Sequence, residues 1–278
     1  MLSAVRSASR LSPALTLLLL PLLAACIGEE REQEMGDAIA AEINMQVPLV
    51  LDRPLLSYVN RLGQQLVGVS ERSDLRFHFY IVNTDAVNAF ALPGGHIYLT
   101  RGLIERTENA SQLSGVLAHE IGHIAARHGA QALERELRTG SVVNMLYSLF
   151  LRGEPSLLEE GPLHLGTRLW HASNSRAAER EADQLAVRYL VSTGLDPQGI
   201  VNLLEGLIEE EQQHSRPMVE WFSSHPITTN RIRVLQRKIA RLPSGTVDEL
   251  AEDLASYPAF LQRLNAFPRL VPLEDASE

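Results

Sequence analysis

The stretch that decides how this chain folds reads Leu117-Ala118-His119-Glu120-Ile121-Gly122-His123-Ile124. Two histidines enclose a glutamate in the pattern His-Glu-x-x-His. In an α-helix, side chains four residues apart lie on one face, so His119 and His123 can bind the same metal ion. Glu120 is next to His119 and can reach the open position of that ion. There it can take a proton from a water molecule and pass it to a leaving group.

Apolar residues flank this motif on both sides, which predicts a buried helix and a dry site. Asn109, followed three residues later by Gln112, matches the capping box with which many helices begin. We therefore expect one long helix from Asn109 to about Glu136. The five-letter pattern alone is a hypothesis, because a core helix with two hydrogen-bonded histidines would fit it equally well.

A second polar pattern follows on a helix predicted over residues 175–191. Glu179 and Asp183 are four residues apart and share one face. One of these carboxylates can complete the metal site, and the other can hydrogen-bond a ligating imidazole. Two histidines, one glutamate and an open fourth position form a known catalytic zinc arrangement. Glu181 points elsewhere on this helix, and we expect it to be solvated.

Upstream of the motif, the pattern changes from helix to strand. Residues 75–82 alternate and are rich in aromatic side chains, which predicts a strand. Shorter strands are expected at 89–91 and 96–99, separated by a turn at Pro93-Gly94-Gly95. Further helices are predicted at 29–46, 51–69, 141–151, 198–213 and 227–241, with a short one in the tail. The expected fold class is α+β, mainly α-helical, with a small β-sheet beside the zinc-binding helix.

Four blocks of this sequence resemble the gluzincin metallopeptidase family that contains HtpX, the mitochondrial Oma protease, the CAAX prenyl proteases and BepA-like periplasmic lipoproteins. They occur in the family's order, and they are Asn88–Tyr98, His119–His123, Ser175–Asp183 and His225–Arg231. The resemblance implies a zincin-type metalloprotease domain with one Zn²⁺ per chain. The implied zinc ligands are His119, His123 and Glu179. Glu120 is the implied catalytic base, and Asp183 supports one of the two histidines.

The resemblance also implies a role for the strand that precedes the zinc helix. In zinc proteases an edge strand pairs with the extended backbone of the substrate. Gly94, Gly95, His96 and Ile97 are therefore expected to bind substrate. An ordinary hairpin is the alternative interpretation of these residues.

His225 is the second expected catalytic residue, and it precedes a predicted helix whose N-cap is Thr228. Three interpretations stay open: a capping or surface histidine, an oxyanion stabiliser, or a fourth zinc ligand in a latent form. Arg231 is expected to brace the helices through ion pairs. The other histidines are expected in surface or core positions. Among them, His128 is five residues past His123 and is predicted to face away from the zinc.

The N-terminus has the pattern of a processing signal. Arg6 and Arg10 precede an apolar run over residues 11–23, which has the length of a signal-peptide core and is too short for a permanent membrane span. The run ends in Leu23-Ala24-Ala25-Cys26, which resembles a lipobox. We expect the lone cysteine, Cys26, to be lipidated and to anchor the chain, and Ile27 after it favours the outer membrane. An ordinary secretory signal is the alternative.

Composition narrows the classes of function. The 278 residues include 34 Asp and Glu against 25 Lys and Arg, a net charge of −9, which argues against nucleic-acid binding. Removal of residues 1–25 would leave 253 residues with a net charge of −11. The expected organisation is a signal peptide (1–25), a lipid-tethered segment (26–50), a zinc metallopeptidase domain (51–242) and a C-terminal helical tail (243–278).

These expectations combine into one predicted function. The chain is expected to be a zinc endopeptidase, lipid-anchored to the outer membrane in the periplasm of a Gram-negative bacterium. It would hydrolyse unfolded or misassembled envelope proteins for quality control, with the outer-membrane assembly machinery as an expected partner. The alternative is a chaperone-like or binding role in outer-membrane protein assembly that uses the same cleft.

Overall fold

The computed structural model describes residues 28–139, 175–213, 225–251 and 254–269. The predicted signal peptide, Cys26 and the predicted helix at 141–151 lie outside them. The described helices are α1 (Glu29–Gln46), α2 (Arg53–Val67), α3 (Arg101–Ile104), α4 (Ala110–Ala125), α5 (His128–Thr139), α6 (Arg176–Ser192), α7 (Gln198–Gln213), α8 (Thr229–Ile239) and α9 (Tyr257–Ala266). The strands are β1 (His78–Val82), β2 (Ala89–Leu92) and β3 (His96–Thr100). The predicted fold class, mainly helical with a small sheet, is confirmed.

The three strands form one sheet in the order β1-β3-β2. β3 pairs in parallel with β1 and antiparallel with β2. Gly94 and Gly95 connect β2 to β3 with φ angles of 83° and 96°. Side chains with a Cβ rarely adopt these values, so glycine suits both positions. The predicted strands and turn are therefore present, in an order that places the last strand in the middle.

Side chains alternate between the two faces of the sheet, as a strand period of two requires. On β3, Ile97 and Leu99 join the main core, which α2, α4, α6 and α7 also build. Tyr98 points to the opposite face and joins a smaller core with Ile39 and Ile43 of α1. Helices thus cover both faces, and the domain has three layers. The sheet lies beside the metal-motif helix, where β2 packs against α4.

The central position of β3 corrects one expectation. Gly94, Gly95, His96 and Ile97 were expected at an edge strand that pairs with substrate. The edge position is wrong, because β1 and β2 already occupy both sides of β3. The contact of these residues with substrate stays a prediction. The α1 helix also covers the turn: a Cβ on Gly94 would lie 3.1 Å from the Cα of Gln33. The order of strands depends on partners distant in sequence, so the alternation pattern could not reveal it.

The helix bounds follow the sequence signals closely. Asn109 caps α4 by accepting a hydrogen bond from the Gln112 N–H at 2.9 Å, and Thr228 caps α8 in the same way. Such a cap contributes about 1 kcal/mol. The predicted helix from Asn109 to about Glu136 is instead two helices, because the chain turns at residues 126 and 127. Among the described helices, none has the length and apolarity that crossing a membrane requires.

The two ends of the described chain also pack on this domain. The residues of α1 that enter the smaller core lie in the segment that was expected to be a tether. Tyr257, Phe260 and Leu264 of α9 enter the main core. The backbone carbonyl of Phe267, just after α9, accepts a hydrogen bond from the buried Arg101 at 2.8 Å. Residues 29–46 and 257–267 are therefore structural parts of the domain.

Candidate metal centre

The α4 helix supplies the first two candidate ligands. Every residue of α4 from Ala110 to Ile124 is buried, so the polar side chains of His119 and His123 are enclosed in the core. The two residues lie one turn apart, and their Nε2 atoms are 3.1 Å from each other. Two buried imidazole nitrogens that point at one position favour the binding of a cation there.

The α6 helix supplies the carboxylates. Ser175 caps its first turn by accepting a hydrogen bond from the Ala178 N–H at 3.1 Å. Glu179 Oε2 lies 3.4 Å from His119 Nε2, and Oε1 lies 3.3 Å from His123 Nε2. One turn later, Asp183 Oδ1 lies 3.0 Å from the other nitrogen of His119, Nδ1. Glu179 thus faces the converging nitrogens, and Asp183 orients one imidazole from behind.

His225 lies at the same point, four residues before α8. Its side chain is fully buried, and its Nδ1 is 3.3 Å from His119 Nε2 and 3.2 Å from Glu179 Oε1. Four side chains, His119, His123, Glu179 and His225, therefore converge in the part of the chain that the structure describes. Of the open interpretations of His225, a surface position is excluded by its burial.

The spacing of these atoms fits a tetrahedral zinc ion. Zinc binds nitrogen and carboxylate oxygen at about 2.0–2.2 Å, so the ligand atoms of a tetrahedral site lie about 3.3–3.5 Å apart. The separations between the candidate ligand atoms given above run from 3.1 to 3.4 Å. Three nitrogens and a carboxylate are also a donor set that suits zinc. The residues present therefore fit the metal.

A buried arginine holds the two carboxylates in place. Arg231 of α8 donates to Asp183 at 2.7 and 2.8 Å, and its Nη1 lies 2.9 Å from Glu179 Oε2. Burial opposes ionisation, but the Arg231 charge and the bond from His119 lower the pKa of Asp183 to about 2. For Glu179, burial likewise opposes the shift, and His225 and Arg231 hold its pKa well below the ordinary value. Both carboxylates are therefore ionised at neutral pH.

Glu120 occupies a different electrostatic position. It is fully buried, and burial raises its pKa above the ordinary value. Its two carboxylate oxygens accept no hydrogen bond within the described residues, although Oε1 lies 3.4 Å from His225 Nε2. A buried carboxylate with free lone pairs and a raised pKa is suited to accept a proton. The structure thus places Glu120 beside the cluster and outside the ligand set.

Two residues have closer contacts with this site than their sequence positions indicated. Arg231 was expected to brace helices by ion pairs, and it does so at the candidate ligand Glu179 and at Asp183. His128 was expected to face away from the zinc, and this is wrong: its Nδ1 lies 2.9 Å from His123 Nδ1. The turn before α5 redirects the ring, and no spacing rule signals it. Glu181 was expected to be solvated, and it is largely exposed while contacting His128.

Comparison with known proteins adds independent information. Residues 56–239 match the model of a family described as peptidase family M48. This range runs from within α2 to the end of α8 and includes all four converging side chains.

Curated relatives agree with this match. The chain is similar to a beta-barrel assembly-enhancing protease of Yersinia pestis, with 33% identity over 75% of this chain and 44% of the relative. The Escherichia coli K12 protein of the same name is 34% identical over 73% of this chain and 42% of its own length. The mitochondrial metalloendopeptidase OMA1 of Schizosaccharomyces pombe is 30% identical over 66% and 52%. The chain thus spans less than half the length of the first two relatives.

Proposed function

Since the chain belongs to peptidase family M48, and its described part is therefore a zinc metalloendopeptidase domain, we propose that the whole protein hydrolyses peptide bonds of unfolded or misassembled proteins in the bacterial cell envelope. The observation that carries the proposal is the convergence of four ligand atoms, separated by 3.1–3.4 Å, beside a buried carboxylate with free lone pairs. The names of the bacterial relatives support the envelope setting.

Each side chain has a distinct part in the proposed reaction. His119, His123 and Glu179 would hold Zn²⁺, which when bound polarises a peptide carbonyl and lowers the pKa of a water molecule. Glu120 would take the proton of the attacking water and deliver it to the leaving amine. Its raised pKa favours acceptance of that proton. Asp183 would fix the ring of His119 by accepting from its Nδ1–H.

His225 would be the fourth ligand of a latent form. Its Nδ1 belongs to the converging atoms, while its Nε2 faces Glu120 at 3.4 Å. The ring therefore occupies the space between the base and the ligand cluster, which a reacting water would need. This geometry favours the latency interpretation over oxyanion stabilisation. His225→Ala is then expected to raise the peptidase rate, whereas loss of an oxyanion stabiliser would lower it by about 100-fold or more.

Substrate would approach beside the cluster. Within the described residues, β2 has a neighbouring strand on one side only, so an extended peptide could pair with its other side. A cavity of about 270 Å³ borders the cluster, lined in part by Glu179, Pro226 and Arg231, and could receive a substrate side chain. Backbone pairing of this kind suits unfolded chains, because it needs an extended segment and little side-chain selectivity.

The location and organisation belong to the same proposal. Residues 1–25 would be a signal peptide, and lipidated Cys26 would anchor the protein to the outer membrane on its periplasmic side. The peptidase motifs would lie in residues 51–242. Residues 26–50 would connect them to the anchor while α1 packs on the sheet, and the tail after residue 242 would pack on the domain through α9. The outer-membrane assembly machinery is the proposed partner.

The test is Glu120→Gln in the full-length protein. We expect unchanged zinc content by elemental analysis, an unchanged melting temperature, and loss of hydrolysis of an unfolded outer-membrane protein. Glu205→Gln on α7 is the matched control and should behave like the wild type. A wild-type protein without zinc, or Glu120→Gln with full hydrolysis, would refute the proposal. If only a chaperone-like role exists, Glu120→Gln leaves the cellular phenotype unchanged.

A further inference from the structure

The break between α4 and α5 returns a histidine to the metal site. In an unbroken helix, His128 would lie about 140° around the axis from His123 and would face away from it. Instead, α4 ends at Ala125, and Arg127 adopts a left-handed conformation with a φ of 57°. The α5 helix then begins at His128 itself. The turn reverses the direction in which the side chain points.

The returned ring contacts the face of His123 that is turned away from the candidate ligands. His123 Nε2 faces the cluster, and its Nδ1 lies 2.9 Å from His128 Nδ1. The two rings are 4.9 Å apart and nearly perpendicular. His128 Nε2 then lies 3.3 Å from Glu181 Oε2 on α6. His128 is buried, whereas Glu181 is largely exposed, so the chain of contacts runs from the site to the surface.

The direction of the hydrogen bonds follows from the metal site. A ligating His123 Nε2 carries no proton, so a neutral ring has its proton on Nδ1 and donates it to His128 Nδ1. His128 then carries its own proton on Nε2 and donates it to the Glu181 carboxylate. Each donor meets one acceptor, and neither imidazole needs a charge. The Nδ1 of His119 contacts a carboxylate directly, that of Asp183, whereas the Nδ1 of His123 is linked to one through His128.

We propose that His128 is a positioning residue for His123: by accepting the Nδ1–H bond of that ligand, and by its own bond to Glu181, it fixes the tautomer and orientation in which His123 binds zinc. The inference rests on the metal site of the proposed function. Partners of this kind orient metal-ligating histidines generally, and their loss weakens metal binding about 10- to 100-fold.

The first helix stabilises the turn on which this arrangement depends. A left-handed backbone at a residue with a Cβ costs on the order of 1 kcal/mol or more. Arg127 is held there by Glu32 of α1, whose Oε2 lies 2.9 Å from both Nε and Nη2 of Arg127. Glu32 is 2% exposed, so water has little access to the carboxylate of this ion pair. The position of His128 is thus fixed from two sides, by α1 through the turn and by α6 through Glu181.

The proposal is tested by separating the hydrogen bond from the volume of the ring. His128→Leu fills the space but accepts no proton, whereas His128→Asn keeps an acceptor close to the position of Nδ1. His78→Leu makes the same change at a histidine of β1 whose ring stacks with Tyr80 and His96 of the sheet. Zinc affinity of the full chain is measured by competition with a chromophoric chelator, and ligand geometry by the visible spectrum of the Co²⁺-loaded protein.

We expect about 10- to 100-fold weaker zinc binding and an altered Co²⁺ spectrum for His128→Leu, recovery in His128→Asn, and wild-type values for His78→Leu. Wild-type affinity in a folded His128→Leu variant, or equal weakness of both His128 variants, overturns the proposal. If His128→Leu does not fold, the exposed Glu181→Ala decides: a weaker affinity supports the relay, and a wild-type affinity and spectrum overturn it. A wild-type chain that binds no zinc instead refutes the proposed function itself.

Discussion

Replacing Gly122 by alanine tests whether the spacing between α4 and α6 sets the metal site. Gly122 lies inside the His-Glu-x-x-His motif, where the two helices cross. A Cβ there would lie 3.0 Å from the carbonyl oxygen of Ala182 and 3.2 Å from its Cα. Both are backbone atoms of α6, which cannot rotate away as a side-chain end could. To remove this overlap, α6 must retreat from α4 by a few tenths of an ångström.

That retreat would move Glu179 away from the two histidines of α4. The present separations are 3.4 Å to His119 and 3.3 Å to His123, and metal–ligand distances tolerate about ±0.2 Å. We therefore expect zinc binding to weaken about 10-fold or more. Packing strain of about 1–3 kcal/mol is partly offset by about 1 kcal/mol of helix propensity gained over glycine. The net loss in free energy of unfolding is about 0–2 kcal/mol.

Gly206→Ala on α7 provides the matched control. It is the same substitution inside a helix, but among the described residues no atom beyond the adjoining turns of α7 lies within 4 Å of the added Cβ. We expect about 1 kcal/mol of stabilisation and unchanged zinc affinity. Urea unfolding measures the free energies, and chelator competition measures the affinities. Gly122→Ala with the zinc affinity of Gly206→Ala would refute the reasoning, because the helices would then have accommodated the Cβ without moving a ligand.

Three further predictions concern other buried or ionised groups. Arg231→Met should lower the free energy of unfolding by about 3–5 kcal/mol in urea, because it leaves two buried carboxylates without their cation; an unchanged midpoint would contradict this. Arg101→Leu should lower stability by about 2–3 kcal/mol, because it removes the bond to the carbonyl of Phe267, and should expose the C-terminal segment to limited proteolysis while zinc affinity stays constant. Burial opposes the shift, but the Tyr189 hydroxyl lowers the pKa of Glu71. The contribution of Glu71 to stability is therefore present above about pH 4.5 and is lost as pH falls through the lowered pKa. The stability difference between wild type and Glu71→Gln should therefore shrink below pH 4.5 in acid titrations, and a constant difference would exclude this linkage.

The secondary structure, and the motifs that depend on residues a few positions apart, could be predicted from the sequence. Local signals in the sequence predict helices at 29–46 and 198–213, and the structure has both with those bounds. These signals act within one or two turns, so a single sequence contains them. The motif around His119 and the carboxylate pattern on α6 were also readable, because each depends on a spacing of four residues. The convergence of the two patterns rested on the family resemblance.

The errors arose where distant segments decide the outcome. The predicted single helix from Asn109 is broken at Arg127, whose left-handed backbone is stabilised by Glu32, 95 residues earlier. That break also moves His128 to the site. The strand β3 was assigned to an edge, although β1, which precedes it by two strands, occupies its other side. A contact between segments that are far apart leaves no periodic signal in either one.

The α8 region contains Arg231, which is held by ion pairs, and is preceded by His225, which would leave the cluster when the site opens. The energies of their contacts decide how the site can open. Arg231 makes three close contacts with Asp183 and Glu179, whereas His225 lies four residues before the helix begins. If α8 moved as a body to withdraw His225, both carboxylates would lose Arg231 at a cost of about 3–5 kcal/mol, and Glu179, the proposed zinc ligand, would lose its support. A rotation of the backbone at residues 226–228 withdraws the imidazole and leaves those contacts intact. Since Pro226 has a fixed φ and Thr228 caps α8, most of that freedom belongs to Ile227. In the proposed cycle, His225 therefore leaves the cluster by local motion ahead of α8, and the remaining three ligands keep their geometry.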